Sequence, residues 1–381
     1  MLRPADRPFP LKPSAVFAGN RFQDEISHSG AEPGPVARRR VMAAIAHFQS
    51  PSPNHSLFQA GSTLLLYFSL LAAMYAARGL LGWLALVPAP LAAGLMVRTF
   101  VIQHDCGHGA LFRSRRANDM LGRMCSLVTL TPYTFWRRQH AQHHGMWNNL
   151  DARTSAADIY SSCLTVAEYH ALPCMRRVLH RLAMHPLVAQ VLIPPVLFML
   201  VYRFPFETQT SWRREWASVM LTNLALTVLF TGLVLWRGVG TVAVVQLPVI
   251  FIASIAGAWL FSMQHRFEGV RWFRREAWGP LDASLHGCSY LKLPSVLRWF
   301  TGSIGFHHIH HLAPRIPNYR LRACHEAMPE LSAAAHALTL RQALSSWRYV
   351  LWDEELGRMV PFPRLSWCSV RRASWPRHRD K

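Results

Sequence analysis

Hydrophobic residues gather in long unbroken stretches rather than in a helical or alternating pattern. Four of them, Leu57–Ala77, Leu80–Val101, Trp216–Trp236 and Thr241–Met263, are each long enough to cross a bilayer as a helix. The first two are separated by a few residues around Arg78, the last two by "RGVG" from Arg237, so each pair predicts a tight helical hairpin. Two shorter apolar stretches fall short of a span. Leu121–Pro132 and Leu187–Tyr202, the latter interrupted by Pro194 and Pro195, predict interfacial or re-entrant helices. The expected fold is therefore an all-α integral membrane protein of four spans. The connecting segments form a helical cap on one side.

Charge fixes which side. Arginine accumulates in the long segments, at Arg113–Arg116, Arg137–Arg138, Arg176–Arg177, Arg213–Arg214 and Arg274–Arg275, while the tight connections hold only Arg78 and Arg237. The positive-inside rule puts the long segments in the cytosol. Residues 1–56 then read as a polar cytosolic leader with no signal peptide, 57–330 as the membrane domain, and 331–381 as a cytosolic tail. The chain has 381 residues, 51% hydrophobic, with a formal net charge of +21 carried by arginine; lysine occurs only at Lys12, Lys292 and Lys381. No nucleic-acid-binding motif accompanies that charge, so it speaks for membrane topology and against a nucleic-acid partner. Seven cysteines without a CxxC pair read as reduced thiols.

The chemistry lies in histidine. The second span runs into "HDCGH", with His104 and His108 four residues apart. "HAQHH" follows with His140, His143 and His144, and "HHIHH" repeats that spacing as His307, His310 and His311. His265 ends the fourth span on the same side. Spacings of three and four put imidazoles on one helix face. Eight or nine of them on one membrane face exceed the shell of any single ion, so the expectation is a dinuclear metal site. Imidazole suits iron, zinc and copper alike, so ligand type does not choose the metal. Two redox ions would point to oxygen chemistry, two zincs to hydrolysis. His104 and His108 have the spacing of a zinc-protease HExxH motif, but Asp105 stands where its glutamate belongs and Gly107 weakens the helix. A metal transporter would want polar groups at mid-span, and these stretches have almost none.

With those boxes and "QHRFE" at the end of the fourth span, the chain resembles the membrane fatty acid desaturases, closest to the omega-6-type acyl-lipid branch. "LRWFTGSIGFHHIHHLAPRIPNYRL" is especially similar to that branch's third box, and the likeness runs from about Phe100 to Glu330. The resemblance implies a non-haem di-iron centre that uses O2 and external electrons to place a cis double bond in a membrane-associated acyl chain. Its ligands would be His104, His108, His140, His143, His144, His265, His307, His310 and His311. Between His307 and His308, the repeat of the second box's spacing favours His307. It also implies an integral protein of the bacterial inner membrane with its site facing the cytoplasm. A hydroxylase, ketolase or alkane monooxygenase of the same superfamily is the alternative outcome. The chain carries no haem-binding segment and no glycine-rich dinucleotide loop, so electrons are expected from ferredoxin or a small cytochrome. Asp105, Asp151 and Glu268, close to the boxes in sequence, are candidate acceptors for the imidazoles' outer N–H groups. Cys106 and Gly107 read as packing residues and Asn148 and Asn149 as turn formers. The run "YTFWRR" from Tyr133 reads as an interfacial aromatic belt rather than a tunnel lining.

Overall fold

The computed structural model describes residues 35–153 and 162–363. After a leading helix, Pro35–Ala46, the first long helix is α1 (Pro53–Leu81). Pro53 supplies a helical φ at its first position, and the Ser52 hydroxyl accepts from the His55 N–H. The helix runs straight through the break expected at Arg78. It ends at Gly82, which holds a positive φ of 53°, and the chain turns through Gly82–Leu86. Apolarity alone could not find that turn; Gly82, Pro88 and Pro90 set it. As a result α2 (Ala89–His108) starts nine residues later than the expected span and carries His104, Asp105 and His108 within its last turns. Gly109, in the left-handed region at φ 69°, ends it.

α2 is the most enclosed helix and packs against α1, α3 (Arg115–Thr129) and α8 (Val239–His265). Gly94 lets it approach the Phe300 ring, since a Cβ there would stand 2.7 Å from the ring. α3 overlaps the stretch Leu121–Pro132 expected as an interfacial or re-entrant helix but begins six residues earlier; it buries Asn118, Gly122 and Cys125 while Met120 and Met124 stay exposed. α4 (Tyr133–Met146) follows, then α5 (Cys174–Ala183), a π-helical turn at Leu187–Leu192, α6 (Ile193–Met199) and α7 (Arg213–Arg237). α9 (Pro280–Gly287), α10 (His307–Leu312) and α11 (Asn318–Ala327) complete the cap.

Among the described residues three helices are long and apolar enough to cross a membrane: Pro53–Leu86, Arg213–Arg237 and Val239–His265. α5 and Leu187–Arg203 qualify together as a pair bent by 52° at the short break between them, where Pro186 precedes the second segment. The outer faces of the long helices keep large apolar side chains exposed, Phe58, Leu65 and Phe68 on α1 and Leu221, Leu224 and Val228 on α7. Such rows suit hydrocarbon, not water.

The fold is mostly helical but not all-α. β1 (Leu164–Thr165) pairs in parallel with β4 (Leu351–Asp353), which pairs antiparallel with β5 (Arg358–Val360). β2 (Ser289–Lys292) pairs in parallel with β3 (His336–Thr339). Residues 331–363, expected as a tail, are thereby built into the cap. Strands this short leave no readable alternation, and their partners lie far away in the chain. Five cysteines, Cys106, Cys125, Cys163, Cys288 and Cys324, are free and buried, whereas Cys174 is disulfide-bonded, contrary to the expectation of reduced thiols throughout.

Candidate metal centre

Four helices converge at the cap's membrane-facing side, each delivering imidazoles from its histidine spacing: α2, α4, α8 and α10. All nine expected histidines meet there. One nitrogen from each of His104, His108, His140, His144 and His310 lies within 4.8 Å of the others, and the same holds for His143, His265 and His311. His307 joins the second group, its Nε2 2.8 Å from that of His265 and its ring centroid 4.7 Å from that of His311. In the first group the Nε2 atoms of His108 and His140 are 3.0 Å apart, those of His140 and His144 3.1 Å, and those of His144 and His310 3.1 Å. The two groups adjoin, with the rings of His144 and His311 stacked at 4.1 Å.

Burial, and then the neighbouring imidazoles, hold His140, His144, His307, His310 and His311 well below the usual histidine range. These rings are therefore neutral at pH 7, each with a lone pair to give. Converging lone pairs repel, and a single ring proton per imidazole cannot bridge them all. A divalent transition ion in each group satisfies them. The nitrogen donors fall into groups of five and four, and such a histidine-rich cluster could bind metal. No carboxylate belongs to either group.

His308 is excluded. It is fully buried, burial pushes it down to about 3, and its Nε2 faces His325 Nδ1 at 3.3 Å, away from the cluster. Of the three carboxylates only Asp105 supports a ligand. Its Oδ1 lies 3.2 Å from His104 Nδ1, and its Oδ2 accepts from the Asn318 backbone N–H (2.7 Å) and side-chain amide (2.9 Å). Gln59 closes the chain by donating to Asn318 Oδ1 at 2.7 Å. Asp151 instead accepts from Arg274 and from the Arg275 backbone N–H, and Glu268 accepts from the Tyr349 hydroxyl and pairs with Arg358. Nearness in sequence misplaced both, because arginine partners draw them to the surface.

Sequence reasoning missed Gln59, Asn318 and Trp147. The Trp147 ring lies 4.1 Å from His265 and 5.3 Å from His143, and its Nε1 donates to the Gly287 carbonyl at 2.8 Å. Its position one turn after His143 was a usable signal; Gln59 and Asn318 left none. Cys106 and Gly107 pack as expected: the thiol is enclosed by Ile102, Leu111 and Tyr133, and a Cβ at Gly107 would meet Trp136 at 3.2 Å. Asn148 forms the turn at φ 51°, and the Asn149 side chain accepts from the Asp151 N–H.

The aromatic run is not a belt. Tyr133, Phe135 and Trp136 are all buried, and Trp136 stacks on His140 at 4.7 Å with an interplanar angle of 13°. Trp136 lines an apolar cavity that starts at His104, His140 and His307 and continues along Phe198, Tyr202 and Gly257. The arrangement sets a histidine-rich cluster that could bind metal at one end of an apolar cavity.

Comparison with known proteins agrees with this geometry. A family model described as fatty acid desaturase matches residues 81–343. A protein named fatty acid desaturase from Bacillus subtilis (strain 168) is 35% identical over 333 residues, 87% of this chain and 93% of its own. An sn-1 oleoyl-lipid 12-desaturase of Picosynechococcus sp. is 25% identical over 276 residues, 71% of this chain and 77% of its own. The chloroplastic omega-6 fatty acid desaturase of Arabidopsis thaliana is 25% identical over 277 residues, 70% of this chain and 59% of its own. By family match, relatives and site together, the chain belongs to the fatty acid desaturases, O2-dependent oxidoreductases.

Proposed function

We propose that the chain introduces a cis double bond into a lipid-linked acyl chain of omega-6 type, with two non-haem irons held by the nine histidines. The observation that carries this reading is the cavity, whose apolar walls end on the imidazoles. Two bound irons would supply O2 activation. In the overall balance two substrate hydrogens, two external electrons and two protons reduce O2 to two waters. His104, His108, His140, His144 and His310 would hold one ion, and His143, His265, His307 and His311 the other. Asp105 accepts a hydrogen bond from His104 Nδ1–H, which keeps the ring proton there and leaves the Nε2 lone pair to face the first ion. Trp136, Phe198 and Tyr202 exclude water and keep a methylene pair against the imidazole edge. Two relatives carry names for oleoyl-lipid and omega-6 desaturation, which supports the lipid-linked class.

In this reading α2 crosses the membrane with α1, giving four spans in two hairpins, and the cap lies on the cytoplasmic side of a bacterial inner membrane. Ferredoxin or a small cytochrome brings the electrons. The basic surface available for it is reduced, because Arg274 is paired with Asp151 and Glu354, and Arg115 and Arg137 share Asp119.

Expression in a host with only saturated and mono-unsaturated lipids, with a ferredoxin system supplied, tests the proposal. Fatty acids are analysed by gas chromatography–mass spectrometry beside a His144→Ala control. A new double bond absent from the control is expected. A new hydroxyl would move the chain to the hydroxylase outcome, and zinc in place of iron in the purified protein would sink the oxidase reading.

A further inference from the structure

We propose that Gly257 sets how far an acyl chain reaches beyond the metal centre, and so determines which chain lengths are accepted; this rests on the desaturase reading above. Gly257 lies on α8 eight residues before His265, about 12 Å along the axis at 1.5 Å per residue. It lines the cavity that begins at the imidazoles, beside Ala253, Ser254 and Ala258 on the same helix. Across from them stand Phe100 and Phe198, with ring centroids 6.2 Å apart, and Tyr202, 5.5 Å from Phe198.

Among the glycines where a Cβ would meet nothing within 4 Å, Gly257 is the one that lines this cavity. A Cβ at Gly94, Gly107, Gly122 or Gly287 would come within 2.3–3.2 Å of a ring or an amide, so those positions need glycine to let two elements meet. A Cβ at Gly257 meets nothing within 4 Å. Nor does the backbone ask for it: Gly257 is not among the positive-φ residues. Glycine inside a helix is destabilising relative to alanine. Here that cost leaves open volume in the wall of a cavity that ends on the metal ligands. Any side chain at this position projects into the path of the acyl chain.

The test uses the full-length protein in a host supplied with saturated chains of graded length. Gly257→Ala and Gly257→Leu are compared with wild type and with Ala256→Leu, an exposed neighbour outside the cavity lining. Iron per chain and thermal unfolding are measured on each purified protein, so that a loss of fold or metal is seen separately. Gly257→Leu is expected to shift the ratio of short-chain to long-chain products by about tenfold or more, the discrimination typical of a methylene's worth of pocket. Gly257→Ala should lie between it and wild type, and Ala256→Leu should match wild type. If Gly257→Leu does not fold, the Gly257→Ala ratio decides alone. An unchanged product ratio in iron-replete Gly257 variants overturns the role of this residue and leaves the desaturase reading standing. No new double bond from the wild type itself overturns that reading, and with it the substrate assigned to the cavity.

Discussion

Replacing Asp105 by asparagine should weaken metal binding without emptying space in the core. The carboxylate is almost fully buried and divides its two oxygens between His104 Nδ1 at 3.2 Å and the two donors of Asn318 at 2.7 and 2.9 Å. An amide has one oxygen. If that oxygen stays with Asn318, the new NH2 group faces His104 Nδ1 and forces it to accept. The ring proton then moves to Nε2, where it blocks ligation. If the amide flips, His104 keeps its tautomer but NH2 opposes both donors of Asn318, at about 1–3 kcal/mol for each buried group left unpaired. Loss of an outer partner of a ligating imidazole typically reduces metal affinity about 10–100-fold. At about 1.4 kcal/mol per tenfold, that is the same order as one unpaired donor, so neither orientation escapes the cost. The assay is competition against a chelator in detergent, reading iron per chain. Asp105→Asn should release iron at about 10–100-fold lower chelator than wild type. Wild-type affinity in a variant of wild-type melting temperature would refute the argument, since the Asp105–His104 contact would then have no hold on the tautomer.

Three further outcomes follow from individual contacts. A Cβ at Gly122 would stand 2.3 Å from the Tyr133 ring, whose hydroxyl is held by the Cys106 carbonyl at 2.9 Å and by Asp119 at 3.0 Å, so the ring cannot yield. Gly122→Ala should cost about 1–3 kcal/mol as overpacking, measured by thermal unfolding. Gly287→Ala would place a Cβ 2.6 Å from Trp147 Nε1 and 2.3 Å from the Asn148 amide; displacement of Trp147 from His265 should lower iron content and shift tryptophan fluorescence. Glu168 accepts from Arg153 and the Thr165 N–H, and chiefly the arginine holds its carboxyl below the ordinary 4.5. A depressed carboxyl pKa contributes stability above 4.5 that is lost as pH falls through the folded value. Amide protection at Leu164–Ala171, corrected for the intrinsic exchange rate at each pH, should therefore fall on acidification below pH 4.5, and Glu168→Gln should remove that dependence.

What could be read from the chain and what could not divides along physical lines. Local periodicity is legible: the apolar stretches became helices, and all nine histidines reached one place, because spacing on a helix fixes direction. Contacts between distant segments are not. Nothing near Gln59 announces that it meets Asn318, and the parallel pairing of β2 with β3 has no sequence signature at four residues. Asp151 and Glu268 show the error most plainly, since proximity to a histidine box says nothing about which way a carboxylate turns when an arginine competes for it. The run from Tyr133 failed for a related reason. Aromatic residues near a bilayer suit an interfacial belt, but Tyr133, Phe135 and Trp136 lie on a helix wedged between α2 and α7 and have no interface to face.

The HxxHH spacing lets one helix supply two groups of imidazoles. At about 100° per residue, positions i and i+4 differ by only about 40°, whereas i+3 and i+4 differ by the full 100°. An i, i+4 pair therefore aims at one point and the residue between them at another. On α4 the pair His140 and His144 serves the first group while His143 serves the second. On α10 the assignment is reversed: His307 and His311 belong to the second group and His310 to the first. The two helices thus interlock across the centre, each giving two imidazoles to one group and one to the other. His104 and His108, another i, i+4 pair, add to the first group, and His265 adds to the second. His308 stands about 100° from His307, about 160° from His310 and about 60° from His311, at the edge of the arc the other three span, and its ring meets His325. Three of the four histidines in "HHIHH" therefore face the centre, and the fourth is turned to His325.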